Sequence, residues 1–444
     1  MSVLERVRER EGTIDESLVE AAAADELRVR LKRDLMERLG LSTVAAMASS
    51  EETGDARQEL AVACQAILNS GDYGRMEAAS RDRLIREVLD EILGLGPLQP
   101  LLDDPTITEV MVNGCDSVFF ERAGVMSETD RVFRSSEQIL MAVDRILAPL
   151  GRRLDESNPI VNARLQNGDR VNVVGSPIAV SGPVVTIRRF SDRIASLSRL
   201  VELGALPGWY AKLLSWAVRA RKDIAVAGGT GSGKTTLLNA LSCEIGHDER
   251  IVTIEDSAEL RFDTHPHVVR LEARDASIEG SGAVTIRDLV KNALRMRPDR
   301  IVVGEVRGEE CIDMLQAMNT GHDGSLTTLH AGSSREAILR LVLMARFGMD
   351  LPTDIIEEQV ATALDIIVMS RRMPGGARVI SSACLVGRRE GGGVDLRKFV
   401  DFNPHSGEWR LLEVPAFVDE LVSDGMLDAK EVEQWRSSCL PEVA

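Results

Sequence analysis

The chain has 444 residues and a formal net charge of −17 at pH 7, and 44% of its residues are hydrophobic while 3% are aromatic. At roughly 150 residues per domain, this length predicts two or three domains that each bury a core. The acidic balance argues against stable nucleic-acid binding, because contacts to a phosphate backbone need clustered Lys and Arg. The six scattered cysteines include no Cys-x-x-Cys pair, so neither a zinc ribbon nor a disulfide framework is indicated.

The first predicted elements are helical. Apolar residues recur at helical spacing from Thr13 to Gly40, and Gly40 is placed to end that helix. A second helical pattern surrounds Leu60, and a loop is predicted from Asn69 to Ser80. We interpret residues 1–75 as a small helical appendage.

A mixed sheet domain follows, which we assign to residues 76–195. It opens with a predicted helix from Arg81 to Leu93. Between Thr106 and Phe190, short β-rich runs are separated by turn dipeptides such as Asn113-Gly114, and one helix is predicted from Gln138 to Leu150.

Residues 196–444 are predicted to form a nucleotide domain, joined to the sheet domain by a polar linker from Ser191 to Pro207. Apolar strands are predicted at residues 223–227, 251–255, 300–304 and 325–329. Their alternation with helical patterns predicts an α/β fold, a parallel sheet covered by helices. Near the end we expect a loop or hairpin over 372–396 and a closing amphipathic helix over 411–435, with no chemistry in either.

A phosphate-binding loop is predicted where a strand meets a helix. Residues 228–235 read Gly-Gly-Thr-Gly-Ser-Gly-Lys-Thr, which supplies unobstructed backbone N–H groups, a lysine for the β and γ phosphates of ATP, and a hydroxyl for Mg²⁺. The alternative is a glycine-rich turn that holds no nucleotide. The predicted nucleotide-binding residues are Gly228, Gly229, Thr230, Gly231, Ser232, Gly233, Lys234, Thr235 and Thr236.

Carboxylates end two further predicted strands. Glu305 follows an apolar strand in the usual Walker B order, so with Thr235 it is our candidate Mg²⁺ ligand, partly through water. Glu255 and Asp256 end another strand at the same sheet edge, and Glu255 is our candidate for polarising the attacking water. Side chains alternate along a strand, so the two acids are expected to face differently. The alternatives are an exposed glutamate at 305 and acids that cap a turn at 255 and 256.

Two histidines surround the strand after Glu305. Their position predicts a γ-phosphate sensor that couples hydrolysis to movement, with His330 ahead of His322, whereas a lone buried histidine is usually structural. A metal site is disfavoured because no third ligand stands at zinc-like spacing.

Arginine is expected to stabilise the transferring phosphoryl group. None lies beside the phosphate-loop motif in the sequence, and each candidate has the alternative of a solvated strand arginine. The candidates are Arg164, Arg170, Arg188 and Arg189 in the sheet domain, and Arg270 and Arg274 after the paired acids.

With these elements in order, the chain resembles the secretion ATPases of type II and type IV systems and of type IV pili, and it is most similar to the CpaF/TadA-type ATPases of tight-adherence (Tad/Flp) pili. The resemblance covers about residues 80–390 and includes Arg295-Met-Arg-Pro-Asp-Arg-Ile-Val-Val-Gly-Glu305 and Asp104-Pro-Thr-Ile-Thr-Glu-Val-Met-Val-Asn-Gly114. Assembly ATPases of type II secretion carry a Cys-x-x-Cys zinc module, which this sequence lacks, so the comparison favours the CpaF group.

The resemblance implies a ring hexamer with a RecA-like P-loop domain behind a mixed α+β, PAS-like domain. It places the Asp-box acid on Glu255, the Walker B acid on Glu305 and the His-box histidine on His330. It also implies that arginines reach the nucleotide at or across the domain junction, and among the candidates we select Arg188 and Arg270 as catalytic and Arg164 and Arg170 as nucleotide-binding.

We therefore expect Mg²⁺-dependent ATP hydrolysis in a hexamer that moves an inner-membrane platform protein, and so assembles or retracts a pilus or drives secretion. No stretch approaches the ~18 apolar residues of a membrane span, so a cytoplasmic position with membrane contact through partners is expected. Two alternatives stay open: a nucleic-acid motor of the same RecA-like class, and a scaffold that binds nucleotide without turnover.

Overall fold

The structure is a computed structural model that describes residues 16–48, 53–70, 73–74, 76–122, 124–165, 167–189, 196–262, 265–274, 276 and 281–439. The chain divides into two compact units, Met1–Ser191 and Asp192–Ala444. No helix in the described ranges is both long and apolar enough to cross a lipid bilayer. The predicted start of the first helix at Thr13 lies outside the described residues.

Helices lead the first unit and share one core. Leu31, Leu35, Leu60 and Val88 are fully buried within it. The first helix ends at Gly40 as predicted, because this glycine takes a left-handed φ of 83°. The helices are α1 (Glu16–Leu39), α2 (Leu41–Ala48), α3 (Thr53–Ser70) and α4 (Ala78–Leu93), followed by the short α5 (Gln99–Asp103).

Helix α4 starts inside the stretch that was predicted as a loop from Asn69 to Ser80. Its apolar face packs in the helical core with α1 and α3, not in the core of the sheet. The predicted domain boundary at residue 75 therefore lies just before a helix that shares its packing with the preceding helices.

An antiparallel sheet completes the first unit, with strand order β3-β2-β1-β6-β5-β4. Burial alternates along β1, where Val110 and Val112 are fully buried, and helix α6 (Ser136–Leu147) packs Ile139 against the same face. Ser135 caps α6 by accepting a hydrogen bond from the backbone N–H of Gln138. The strands are β1 (Ile107–Asn113), β2 (Val118–Arg122), β3 (Val125–Thr129), β4 (Ile160–Arg164), β5 (Arg170–Val174) and β6 (Val184–Arg188).

The second unit is built on a sheet with strand order β15-β14-β13-β12-β7-β11-β10-β8-β9. The part from β12 to β9 is parallel, and β13, β14 and β15 extend it in antiparallel fashion. The strands are β7 (Ile224–Gly228), β8 (Ile251–Glu255), β9 (Val268–Glu272), β10 (Arg300–Val303), β11 (Leu326–His330), β12 (Ile366–Arg372), β13 (Arg378–Arg388), β14 (Val394–Asn403) and β15 (Glu408–Leu411).

Buried cores lie on both faces of this sheet, as an α/β fold requires. The predicted parallel sheet between helices, preceded by a mixed α+β unit and a helical segment, is confirmed. The helices are α7 (Leu197–Glu202), α8 (Gly208–Arg219), α9 (Lys234–Ser242), α10 (Ile286–Ala293), α11 (Glu310–Met318), α12 (Ser334–Gly348), α13 (Thr353–Ala363), α14 (Phe417–Ser423) and α15 (Ala429–Cys439).

Two local predictions are corrected and one is confirmed. Helix α7 forms within the predicted linker, because Ser196 caps it and Leu197 and Leu200 are buried. The predicted loop or hairpin over 372–396 is confirmed as a hairpin, since these residues contain strands of two hairpins, β12–β13 and β13–β14. The predicted closing helix over 411–435 is two helices, because Gly425, with a φ of 70°, ends the first of them.

Candidate nucleotide site

The predicted phosphate loop connects the buried strand β7 to helix α9. Gly228 has no room for a side chain, since a Cβ there would lie 2.3 Å from the carbonyl oxygen of Ser370. Gly231 and Gly233 take left-handed φ values of 68° and 95°, which L side chains rarely adopt. Glycine at these positions thus gives the backbone the turn that opens its N–H groups toward an anion at the start of α9.

Lys234 is the first residue of α9 and is 8% exposed. Its Nζ donates to the carbonyl oxygen of Gly229 at 3.1 Å and lies 3.5 Å from Nδ1 and 3.4 Å from Nε2 of His330. The lysine is therefore folded into the loop that it is predicted to serve, with its charge at the sheet edge.

His330 ends β11 and pairs in register with Gly228. Its Nε2 lies 2.9 Å from Oε1 of Glu305. Burial and the neighbouring charge of Lys234 lower the pKa of His330, so the ring is neutral near pH 7. The neutral ring therefore lies between the Lys234 ammonium group and the Glu305 carboxylate and contacts both, while Oε1 of Glu305 accepts no hydrogen bond from the described residues.

Glu305 lies two residues beyond the end of β10. Burial alone would raise the pKa of this carboxyl. The hydrogen bond from Arg307 Nη2 to Oε2 at 2.8 Å and the charges of Arg307, His330 and Lys234 outweigh burial and lower the pKa. Glu305 is therefore an ionised carboxylate at neutral pH, linked through His330 to the phosphate loop.

Glu255 ends β8 and is 3% exposed. Its Oε2 accepts backbone hydrogen bonds from Glu259 at 2.6 Å and Leu260 at 2.9 Å, so it caps the following turn, as the alternative interpretation proposed. Oε1 is buried and accepts no hydrogen bond. Burial raises the pKa of Glu255 to about 7.

Asp256 is exposed, which confirms that the paired acids face differently. One of its oxygens lies 3.6 Å from Nη1 of Arg307, whose other Nη contacts Glu305. The Arg307 guanidinium thus connects the carboxylates that follow two neighbouring strands, β8 and β10. Sequence reasoning missed Arg307, although its position two residues after Glu305 was a signal that the same strand end presents it.

The arginines of the second unit take different positions. Arg270 is an exposed residue of β9 whose charge lowers the pKa of Glu255. Arg274 donates from Nε to the carbonyl oxygen of Gly282 at 2.8 Å, so it holds a local turn.

Arg164, Arg170 and Arg188 are cross-strand neighbours on β4, β5 and β6 of the first unit. Directly opposed residues share a sheet face, so the three guanidinium groups form a row. Arg189 instead lies 3.3 Å from Asp169 and donates to the carbonyl oxygen of Asp104 at 3.0 Å, which gives it a structural role within that unit. A contact between this row and the nucleotide site stays a prediction.

His322 is not brought to the site. His322 precedes β11 whereas His330 ends it. The two histidines therefore lie at opposite ends of this strand, roughly 15 Å apart at ~3.3 Å per residue. Nδ1 of His322 lies 3.1 Å from the carbonyl oxygen of Ala317. The proposed sensor role of His322 is therefore wrong, and its contact closes the turn after α11.

The residues present fit a magnesium nucleotide. The glycines leave space for phosphate against the backbone, and Lys234 supplies the positive charge. The hydroxyl of partly buried Thr235 and the ionised Glu305 are hard oxygen donors, the type that Mg²⁺ prefers. Such a small donor set is sufficient, because Mg²⁺ is usually held by one or two side chains, waters and the substrate's phosphates.

Residues 91–390 match the family model described as "Type II/IV secretion system protein". A Mycobacterium tuberculosis protein named for a proposed role in conjugal transfer is 37% identical over 313 residues, which cover 69% of this chain and 88% of that protein. The type IV secretion system protein VirB11 of Brucella suis is 36% identical over 301 residues, covering 62% and 83%. The crystal structure of the Brucella suis VirB11 ATPase with sulphate aligns at 33% identity and a TM-score of 0.35, covering 65% of this chain and 95% of that chain.

Proposed function

We propose that this chain, which belongs to the type II/IV secretion system protein family, is a Mg²⁺-dependent ATPase that acts as a mechanical motor. The observation that carries the proposal is the continuous contact from the phosphate-loop lysine Lys234 through His330 to Glu305. This contact joins the predicted phosphate-binding group, sensor and metal-binding carboxylate at one sheet edge.

In this proposal each group has one task. On nucleotide binding, Lys234 would exchange the Gly229 carbonyl for the β and γ phosphates of ATP. Thr235 and Glu305 would hold Mg²⁺, which would supply charge neutralisation of the phosphates. Glu255 polarises the attacking water with its ionised carboxylate. His330 changes its contact with Lys234 when the γ phosphate leaves, and so reports hydrolysis to β11 and the helix that follows.

More specifically, we propose that the protein is a hexameric motor of tight-adherence pili that lies in the cytoplasm and acts on an inner-membrane platform protein. This proposal is supported by the long motifs shared with CpaF/TadA-type ATPases. Arg164, Arg170, Arg188 and Arg270 are proposed to complete the nucleotide site in the ring. We also propose that residues 1–75, 76–195 and 196–444 act as separate modules of this motor.

The second candidate function is the motor ATPase of a conjugal type IV secretion system, which is favoured by the names of the relatives. Deletion of the gene distinguishes the two, because the first predicts loss of surface pili and the second predicts loss of substrate transfer with pili of the tight-adherence type intact. ATPase activity stimulated by DNA would instead favour the nucleic-acid motor.

The ATPase proposal is tested with Lys234→Ala. We expect ATP turnover to fall at least about 100-fold, because the phosphates lose their buried cation. Lys398→Ala is the matched control, since Lys398 is an exposed lysine of β14 paired with Asp401, and we expect it to hydrolyse ATP normally. Normal turnover by Lys234→Ala would refute the assignment, and ADP binding without turnover by the unmodified protein would favour the scaffold.

A further inference from the structure

The phosphate loop is held from outside by the β12–β13 hairpin. Ser370 of β12 pairs in register with Gly228, so the hairpin lies directly beside the point where the loop leaves β7. Ser370 Oγ donates to the carbonyl oxygen of Ser232 at 2.6 Å, and this contact is buried. Arg378, the first residue of β13, donates from Nε to the carbonyl oxygen of Gly231 at 2.9 Å.

These two bonds go to consecutive carbonyl groups of the loop. A peptide's C=O and N–H point in opposite directions, so donors that fix the carbonyls of residues 231 and 232 on one side aim the following N–H groups to the other side. A phosphate cradle needs those N–H groups to point inward together. The hairpin thus acts on the side of the loop away from the phosphates.

A β-bulge sets this geometry. The register between β12 and β13 shifts between Met369 and Ser370, which leaves Ser381 as the extra residue of β13. Bulges redirect side chains and strengthen local twist, and they are common next to functional sites. Here the shift comes just before the two residues that face the loop, Ser370 and Arg372, the latter with Nη1 3.6 Å from the position of a Cβ at Gly231.

We propose that Ser370 and Arg378 are positioning residues for nucleotide binding, which preorganise the phosphate loop through the carbonyls of Ser232 and Gly231. The proposal rests on the proposed function, since it assumes that the loop binds nucleotide. The proposal also gives a role to the antiparallel strands near the C-terminus, because the β12–β13 hairpin that holds the loop is continuous with β14 and β15. Movement of these strands would be transmitted to the phosphate site.

The expected result is a loss of affinity without an equal loss of chemistry. Loss of one bond to an arginine or a buried hydroxyl should raise the Kd for ADP and the KM for ATP on the order of tenfold, with kcat changed less than about twofold. ADP and a non-hydrolysable ATP analogue should weaken equally, because both present β phosphate to the loop.

The experiment compares Ser370→Ala, Arg378→Ala and Arg378→Lys with the unmodified full-length chain, by titration of fluorescent ADP and by steady-state kinetics. Arg371→Ala is the matched control, because Arg371 is an exposed neighbour on β12 whose side chain alternates to the opposite sheet face. It removes the same charge and should bind ADP normally. Thermal unfolding checks that each variant is folded, and exposed Arg378 keeps the test valid if Ser370→Ala is unstable.

The outcomes separate positioning from charge. Weakened binding in both Ser370→Ala and Arg378→Ala supports the proposal, because the serine variant removes no charge. The proposal is overturned if a folded Ser370→Ala or Arg378→Ala binds ADP like the unmodified protein, or if Arg371→Ala weakens binding as much as Arg378→Ala. If the unmodified protein neither binds ADP nor hydrolyses ATP, the proposed function itself has failed.

Discussion

At the scale of single residues, the site shifts the pKa values of its two strand-end glutamates in opposite directions. Burial raises the pKa of Glu255 to about 7. The contacts with Arg307 and His330 lower the pKa of Glu305 in spite of its burial. At neutral pH one carboxylate is therefore ready to bind a cation while the other gains and loses a proton, and such separated pKa values are typical of sites that divide these tasks.

The pH dependence of hydrolysis should report this difference. We expect kcat/KM for ATP to rise with pH through an ionisation near 7, since this parameter reports groups of the free enzyme and the proposed mechanism needs Glu255 as the carboxylate. Glu255→Gln should lower kcat/KM on the order of 10²-fold or more and remove that ionisation. Steady-state assays from about pH 5.5 to about pH 8.5 measure both effects.

The neighbouring Asp256→Asn is the control for this profile. Asp256 is exposed and faces away from Glu255, so the variant should keep the ionisation near pH 7. An acidic limb that persists unchanged in Glu255→Gln would assign it to another group.

Residues with motif chemistry could be predicted from the sequence, because strand ends in a parallel sheet meet at one edge. This reasoning brought Lys234, Glu305 and His330 together. The reasoning failed for His322, because nearness to a strand in the sequence does not place a residue at the carboxyl end of that strand. It also missed Arg378, since its contact with Gly231 depends on a bulge that leaves no mark in the sequence.

At the scale of elements, a buried arginine stabilises the amino ends of the parallel strands, opposite the ends that carry the candidate site. Arg300 begins β10 and is 1% exposed. Its Nε and Nη2 donate to both carboxylate oxygens of Glu249 at 2.7 and 2.9 Å, and its other Nη donates to the carbonyl oxygen of Gly324 at 3.1 Å. Gly324 is required there, because a Cβ would lie 1.7 Å from Nη1 of Arg300. The strand was predicted from its apolar run, but burial of its first, charged residue was not.

Removal of the partner carboxylate should therefore destabilise the second unit. Glu249→Gln leaves the Arg300 guanidinium buried without its counter-charge, which typically costs about 3–5 kcal/mol of unfolding free energy. We expect the melting temperature to fall by roughly 10 °C, measured by calorimetry. Glu420→Gln is the control, since exposed Glu420 lies 3.9 Å from Lys222 and such pairs contribute about 0–1 kcal/mol. Equal melting temperatures in the two variants would contradict a structural role for the buried pair.

At the scale of the whole molecule, composition and pattern predicted the kinds of module better than their limits. The parallel sheet between helices and the presence of a β-rich domain before it follow from strand patterns, whereas the antiparallel pairing of that first sheet was not predicted. Helix α4 was assigned to the sheet domain although it packs with α1 and α3. A helix that is amphipathic on one face does not reveal in its sequence which neighbour covers that face. In the proposed ring, the arginine row on β4, β5 and β6 raises a related question, because a sequence does not tell whether an arginine would reach the nucleotide of its own subunit or of a neighbour.

Mixing two inactive variants would answer it. If Arg170 completes the site of a neighbouring subunit, Lys234→Ala and Arg170→Ala chains are each inactive alone, yet a mixed ring contains some sites with an intact phosphate loop beside an intact arginine. Random assembly at equal amounts should restore about a quarter of the normal ATPase rate, because each such site needs one particular pair of neighbours. The measurement is ATPase activity after the two variants are mixed under conditions that exchange subunits. No recovery, with exchange verified by labelled subunits, would show that each subunit's nucleotide uses its own Arg170.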